Sequence, residues 1–453
     1  MKDSLLKAYS RRTFIGSGLF ALAGLASRRC FAEKISHIYP PSWVSDAHEV
    51  LRNIKPVSFS PLVITLVHRN DDAQVRIQGM IDILASQGGG TLRLSAGLWR
   101  VGGPLRLHSN IHLQIPRGVV LEFTGDRDAY LPLVKTRWEG TDLYGYSPCI
   151  YAADCSNVAI TGQGAIRFDC AGDMVRWRDE QTEAQATLRQ MGDSGVPLAK
   201  RIFGSGSFLR PSFIQFINCS RVLVEGVSIG PTIFWGLHML YSEHITIRNA
   251  KFESHTVNTD GIDIDSSKLV HIEGCHFRTG DDCIAIKSGR DLDGRTVAKP
   301  SEDVVIRNCF VERSGSNALA IGSEMSGGVR RVYLIQCRIQ EAAGIITIKS
   351  NLDRGGVVED VFVWDVKADR CGTGIKITNS YHGYRGGKHP PSFRDITIET
   401  IAIREAKRAI DLADVLKGRV ARVLLQDIVV DKAYEPSRIS DSDGYILRRV
   451  TVG

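Results

Sequence analysis

The sequence has little proline, no Cys-x-x-Cys pair and little net charge once its first residues are set aside. Fifteen prolines stand against 44 glycines, with 43% hydrophobic and 24% charged residues, so collagen-like and disordered compositions are both excluded. Ten cysteines show no metal-like spacing, which argues against a structural zinc site. Cys30 falls in the leader described below and leaves nine, an odd number. The formal charge is +7, but residues 1–32 carry six basic residues against Asp3 alone, so the remainder is close to +2. That balance gives no bulk argument for a nucleic-acid partner. Beyond the leader no apolar run approaches membrane-spanning length, and no stable membrane association is expected.

The N-terminus reads as an address. Ser10-Arg11-Arg12-Thr13-Phe14-Ile15 has the form of a twin-arginine export signal, a Gly/Ala-rich apolar run follows, and Cys30-Phe31-Ala32 offers a cleavage site. Residues 1–32 are therefore expected to be a signal peptide and the mature protein periplasmic or secreted. Export of a folded chain argues against a core that depends on disulfides. Residues 33–70 read as an N-terminal extension and 71–453 as a single domain.

What is abundant is a short alternating pattern. VLVEG at 222–226, ITIRN at 245–249, VHIEG at 270–274, VVIRN at 304–308, VYLIQ at 332–336, VFVWD at 361–365, ITIET at 396–400 and VLLQD at 423–427 each alternate with period two, the mark of a short strand. VAITG at 158–162 reads as an earlier copy. Their third apolar residues are separated by 23, 25, 34, 28, 29, 35 and 27 residues. A second series interleaves: GIDID at 261–265, CIAIK at 283–287, ALAIG at 318–322, IITIK at 345–349, GIKIT at 374–378 and AIDLA at 409–413. Variable steps between constant strands describe coils of fixed cross-section with loops inserted, so the expected fold is all-β, a parallel β-helix with at least two sheets. Strands of successive coils would lie about 4.8 Å apart. Cys275, Cys309 and Cys337 occupy one register position and are expected to stack as small buried hydrophobes. A helix over 75–86, ending at Gly88-Gly89-Gly90, would cap one end of the stack. The polar stretch 170–210 reads as an excursion that walls a cleft.

Three acids stand just before strands of the second series. Asp260 lies four residues before Ile264, and Asp282 four before Ile286, so the two should stack in adjacent coils, with Asp281 offset by one. Close carboxylates raise one another's pKa, and one can then hold a proton while another works as base. Glycoside hydrolysis requires that division. Turn preference of Asp at coil corners accounts for isolated acids such as Asp365 and Asp427. Calcium binding is the functional alternative for the cluster.

NTDGIDI at 258–264 followed by GDDCIAIKSG at 280–289 resembles the polygalacturonase family, glycoside hydrolase family 28. The resemblance implies a right-handed β-helix, inverting hydrolysis of α-linked galacturonide bonds in an acidic polysaccharide or oligosaccharide, no cofactor and no metal. By position Asp281 resembles the general acid, and Asp260 and Asp282 the pair that activates water. Asn258, Lys349 and Tyr381 resemble substrate-binding positions. Two departures stand out. The family's Gly-His-Gly is here Ser316-Asn317-Ala318, and its Arg-Ile-Lys is Thr347-Ile348-Lys349. Asn317 occupies the stacked position of Asp260 and Asp282 and can bond a substrate without titrating. Arg354 in a neighbouring loop is the expected compensation for the missing arginine. A neutral sugar beside the cleaved bond, as in a rhamnogalacturonan, is the alternative substrate. A lyase and a non-catalytic polysaccharide-binding β-helix are the alternatives in kind. A monomer is expected.

Overall fold

A computed structural model describes residues 39–169, 173–383, 385–440 and 443–453. The expected signal peptide lies outside the described residues. From Pro41 onward the chain forms one unit. It is a stack of parallel coils, with one antiparallel hairpin, Val134–Trp138 with Thr141–Gly145, projecting from it.

The first strand series forms a continuous in-register ladder. Leu113, Ile160, Val224, Ile247, Ile272, Ile306, Leu334, Val363, Ile398 and Leu425 are each paired with the next. The ladder runs further than the sequence pattern indicated, through Leu92 back to Ile64 and forward to Leu447. Strand Val63–Leu66, assigned above to an extension, thus belongs to the sheet. It went unrecognised because it is a four-residue edge strand whose inward side chains, Ile64 and Leu66, are only partly buried.

The second series is equally regular: Met239, Ile264, Ile286, Ile321, Ile348 and Ile377 stack in order. A third face, absent from the sequence reading, stacks Trp99, Leu121, Ile166, Ile229, Phe252, Phe277, Val311 and Ile339. Its strands are as short as Ser228–Ile229 and Lys251–Glu253, too brief to display a period.

The corners explain the last letter of each pentapeptide. Gly226, Asn249, Gly274, Asn308, Gln336, Asp365, Thr400 and Asp427 all have φ between 53° and 77°. Gly, Asn and Asp tolerate this left-handed conformation best, and it turns the chain from one face to the next. Asp365 and Asp427 are therefore corner residues. Inside the corner Cys275, Cys309 and Cys337 are buried free thiols in successive coils.

Helix Gln74–Ser86 buries Ile77, Ile81 and Leu84 over the N-terminal coil, leaving Val75 in solvent. Helix Val44–Asn53 lies on the outside of the first sheet, where Ala47 and Val50 pack with Val305, Tyr333, Ile335 and Trp364. The Trp43 ring stacks on Phe362 at 5.2 Å. Within 170–210 the described residues form helices Asp173–Glu180 and Thr182–Asp193.

Ile272 is fully buried between Ile247 and Ile306. Ile272→Ala should cost about 2–5 kcal/mol, read from the denaturant midpoint. Val75→Ala, on the exposed face of the capping helix, should stay within about 0.5 kcal/mol of the parent.

Candidate active site

The aspartates stand where two adjacent coils enter the second face. Gly261 N–H donates to Asp282 O at 3.0 Å and Cys283 N–H to Asn317 O at 2.8 Å, so residues 260, 282 and 317 form one rung-to-rung stack. Asn317 pairs onward with Gly344. Asp260, Asp281 and Asp282 all line one cleft. Asn258, Lys349 and Tyr381 line the same cleft.

Each carboxylate has a different environment. Asp281 accepts hydrogen bonds from the backbone N–H of Asn258 at 2.9 Å and of Asp282 at 3.0 Å. Burial, and then the charge of Asp282, nevertheless pushes its carboxyl above the usual carboxylate range. Asp260 is also pushed well up, by burial and then by Asp263 and Asp281. Burial acts upward on Asp282 too, but the ammonium groups of Lys349 and Lys287 outweigh it and hold Asp282 down to about 2. Lys349 Nζ lies 2.8 Å from Asp282 Oδ2 and 4.9 Å from the Tyr381 ring centroid.

Asn317 and Thr347, the two departures from the family pattern, are bonded to each other. Thr347 Oγ1 donates to Asn317 Oδ1 at 2.6 Å, which leaves the amide Nδ2 to donate to Asp282 Oδ1 at 2.6 Å. The backbone N–H of Asn317 reaches the same oxygen at 3.0 Å. An amide fixed in this way stabilises the charged form of Asp282 without titrating itself.

Two expected substrate contacts are thus already engaged by other side chains. Asn317 spends its side chain on Asp282 and Thr347, the natural outcome of its place in the stack. Arg354 is 3% exposed, with Nη1 2.5 Å from Asp291 Oδ1, so its loop turns the guanidinium inward and it cannot replace the missing arginine at the cleft.

Other side chains fill the cleft that the sequence did not single out. Lys287 sits 3.5 Å from both Asp263 and Glu324 and 4.5 Å from the Trp235 ring centroid. It belongs to the GDDCIAIKSG motif, which was the available signal. Glu139, Arg189, Arg290 and Glu324 also line the cleft. Glu139 arrives on the tip of the hairpin, whose wholly buried Arg137 pairs with Asp142 inside the hairpin and fastens it to the coils through Asp265, each at 2.7 Å. Gly140 follows at φ 82°, and a Cβ there would meet Arg290 Cβ at 2.9 Å, so only glycine lets the tip approach. Arg189 comes from helix Thr182–Asp193. No local pattern links these segments.

Comparison with known proteins places this geometry. The model for glycosyl hydrolases family 28 matches residues 134–421. A probable polygalacturonase of Vitis vinifera is 26% identical over 334 residues, 70% of this chain and 63% of its own length. The chain thus spans less than two thirds of that relative. An endo-polygalacturonase of Pectobacterium parmentieri is 27% identical over 79% of this chain and 85% of its own. The crystal structure of a hyperthermoactive exopolygalacturonase from Thermotoga maritima superposes with a TM-score of 0.80 at 33% identity, covering 89% of this chain and 96% of that one. With the aspartate turns and the greater part of the coil stack inside the matched span, the chain belongs to glycosyl hydrolases family 28.

Proposed function

We propose that this enzyme hydrolyses α-linked galacturonide bonds in pectic polysaccharide or oligosaccharide, with inversion. What supports the reading is the placing of three neighbouring carboxyls in different electrostatic surroundings, which push Asp281 and Asp260 up and hold Asp282 down. Asp281, raised and cleft-lining, is the general acid that protonates the leaving oxygen. Asp282, held ionised by Lys349 and Lys287, takes the proton of the attacking water, with Asp260 sharing its placement. Activity should therefore fall as pH rises through the Asp281 value and as pH falls towards that of Asp282.

Helix Thr182–Asp193 and the hairpin tip wall one flank of the cleft through Arg189 and Glu139. A cleft closed there takes a chain end, so the reading includes exo action. It agrees with the name of the Thermotoga maritima protein. The twin-arginine leader supports action outside the cytoplasm. Among the described residues no helix is long and apolar enough to cross a membrane.

Incubation with polygalacturonate, rhamnogalacturonan and short galacturonides should release galacturonate from the first and third, as monomer from the earliest time points. Asp281→Asn should lower the rate roughly 100- to 10,000-fold. Release from rhamnogalacturonan alone would overturn the substrate, and a full-rate Asp281→Asn enzyme would overturn the mechanism. Lys349→Met should move the acid limb of the kcat/KM profile to higher pH, because burial then acts on Asp282 with less opposition. An acid limb left in place would contradict the assignment of Asp282 as base.

A further inference from the structure

Thr347 provides no charge where the family's arginine stands, and Lys349 is committed to Asp282 at 2.8 Å. A uronate substrate needs a bidentate cation elsewhere. The lining of the same cleft offers two. Arg189 Nη2 and Arg290 Nη1 both reach the same oxygen, Glu139 Oε2, one from the inserted helix and one from the loop after the GDDCIAIKSG strand.

Arg290 differs from the other buried arginines around it. Arg137, Arg201 and Arg354 are bonded to carboxylates at 2.5–2.8 Å. The contacts of Arg290 with Glu139 O, Glu139 Oε2 and Glu324 Oε1 are all 3.4 Å, and Asp291 Oδ2 is 3.8 Å away. Charge-assisted hydrogen bonds normally close to about 2.7–2.9 Å. Arg290 is thus nearly buried, faces the cleft and is loosely held. Burial first, and then the charge of Arg354, push its guanidinium down to about 10, the direction expected of a cation whose charge its surroundings under-compensate. Arg189 is more open, with 36% of its side chain exposed, and its buried Nε has no hydrogen-bond partner. Between them the two guanidinium groups carry ten N–H donors.

We propose that Arg189 and Arg290, set on either side of Glu139 Oε2, form the subsite that grips the carboxylate of the uronate residue at the closed flank of the cleft. The proposal rests on the galacturonide reading above and names its specificity-determining residues. A ligand carboxylate entering there shortens the long contacts of Arg290 and takes up free donors of Arg189. A methyl ester of the same sugar keeps the ring and loses the anion, so it gains neither.

The test is calorimetric binding to the Asp281→Asn protein, with trigalacturonate and its fully methylated ester as probes. Arg189→Gln and Arg290→Gln should each weaken trigalacturonate about 10- to 100-fold and leave the ester unchanged. Equal loss on both probes, or no loss on either, overturns the subsite. Arg290 is buried and its variant could unfold, so thermal midpoints are recorded and Arg189→Gln, on a partly exposed helix position, carries the test alone if needed. A parent that binds neither probe overturns the substrate reading and the subsite with it. A parent that binds trigalacturonate tightly, with Arg189→Gln unaffected, overturns the subsite alone.

Discussion

The fold of this molecule hangs on parallel hydrogen bonding from coil to coil, in unbroken register along the first face. Because side chains alternate faces along a strand, a slip of one residue would turn a whole ladder of Ile, Val and Leu outward, and burial forbids it. The ladder from Ile64 to Leu447 is therefore a ruler. It brings Asp260 and Asp282, which are distant along the chain, to successive rungs, and puts Asn317 on the next. The spacing of these acids is a consequence of core packing several residues away.

Stacking acids at one strand spacing is unfavourable by itself, and the site shows how the repulsion is met. Lys349 and Lys287 hold Asp282 in its charged form, while Asp260 and Asp281 are driven towards theirs with a proton. Asp263 lies beneath them, fully buried, with both oxygens lacking a hydrogen-bond partner and Lys287 3.5 Å away. Burial pushes its carboxyl well up too. Asn317 and Thr347 complete the arrangement with neutral bonds. The pair reads as one coupled replacement, since either residue alone would leave a hydrogen-bonding group of the other unmatched.

The coil stack was legible in the sequence because its information is local. Five-residue alternation gives the strand, and a final Gly, Asn or Asp gives the corner, as at Gly226, Asn249 and Asp427. The aspartate turns were legible for the same reason, being counted from Ile264 and Ile286 on known ladders. The third face hid because its middle strands shrink to as few as two and three residues, at Ser228–Ile229 and Lys251–Glu253. The rest of the cleft lining hid for a different reason. Glu139, Arg189 and Arg290 lie on three separate segments whose meeting is decided by the Arg137 ion pairs and by the room left at Gly140. Arg354 shows the same limit from the other side: its charge was visible in the sequence, but its direction is set by Asp291.

The central claim is that Asp260 and Asp282, brought to one place by register, act on one water as a unit. The most direct measurement is a double-mutant cycle on kcat/KM with Asp260→Asn, Asp282→Asn and the double variant, using a galacturonide that the parent hydrolyses. Residues acting as one unit give strongly non-additive losses, so the double variant should be no slower than the worse single variant by more than a small factor. Losses that multiply would mean the two aspartates contribute independently, and the shared role drawn from their stacking would be contradicted.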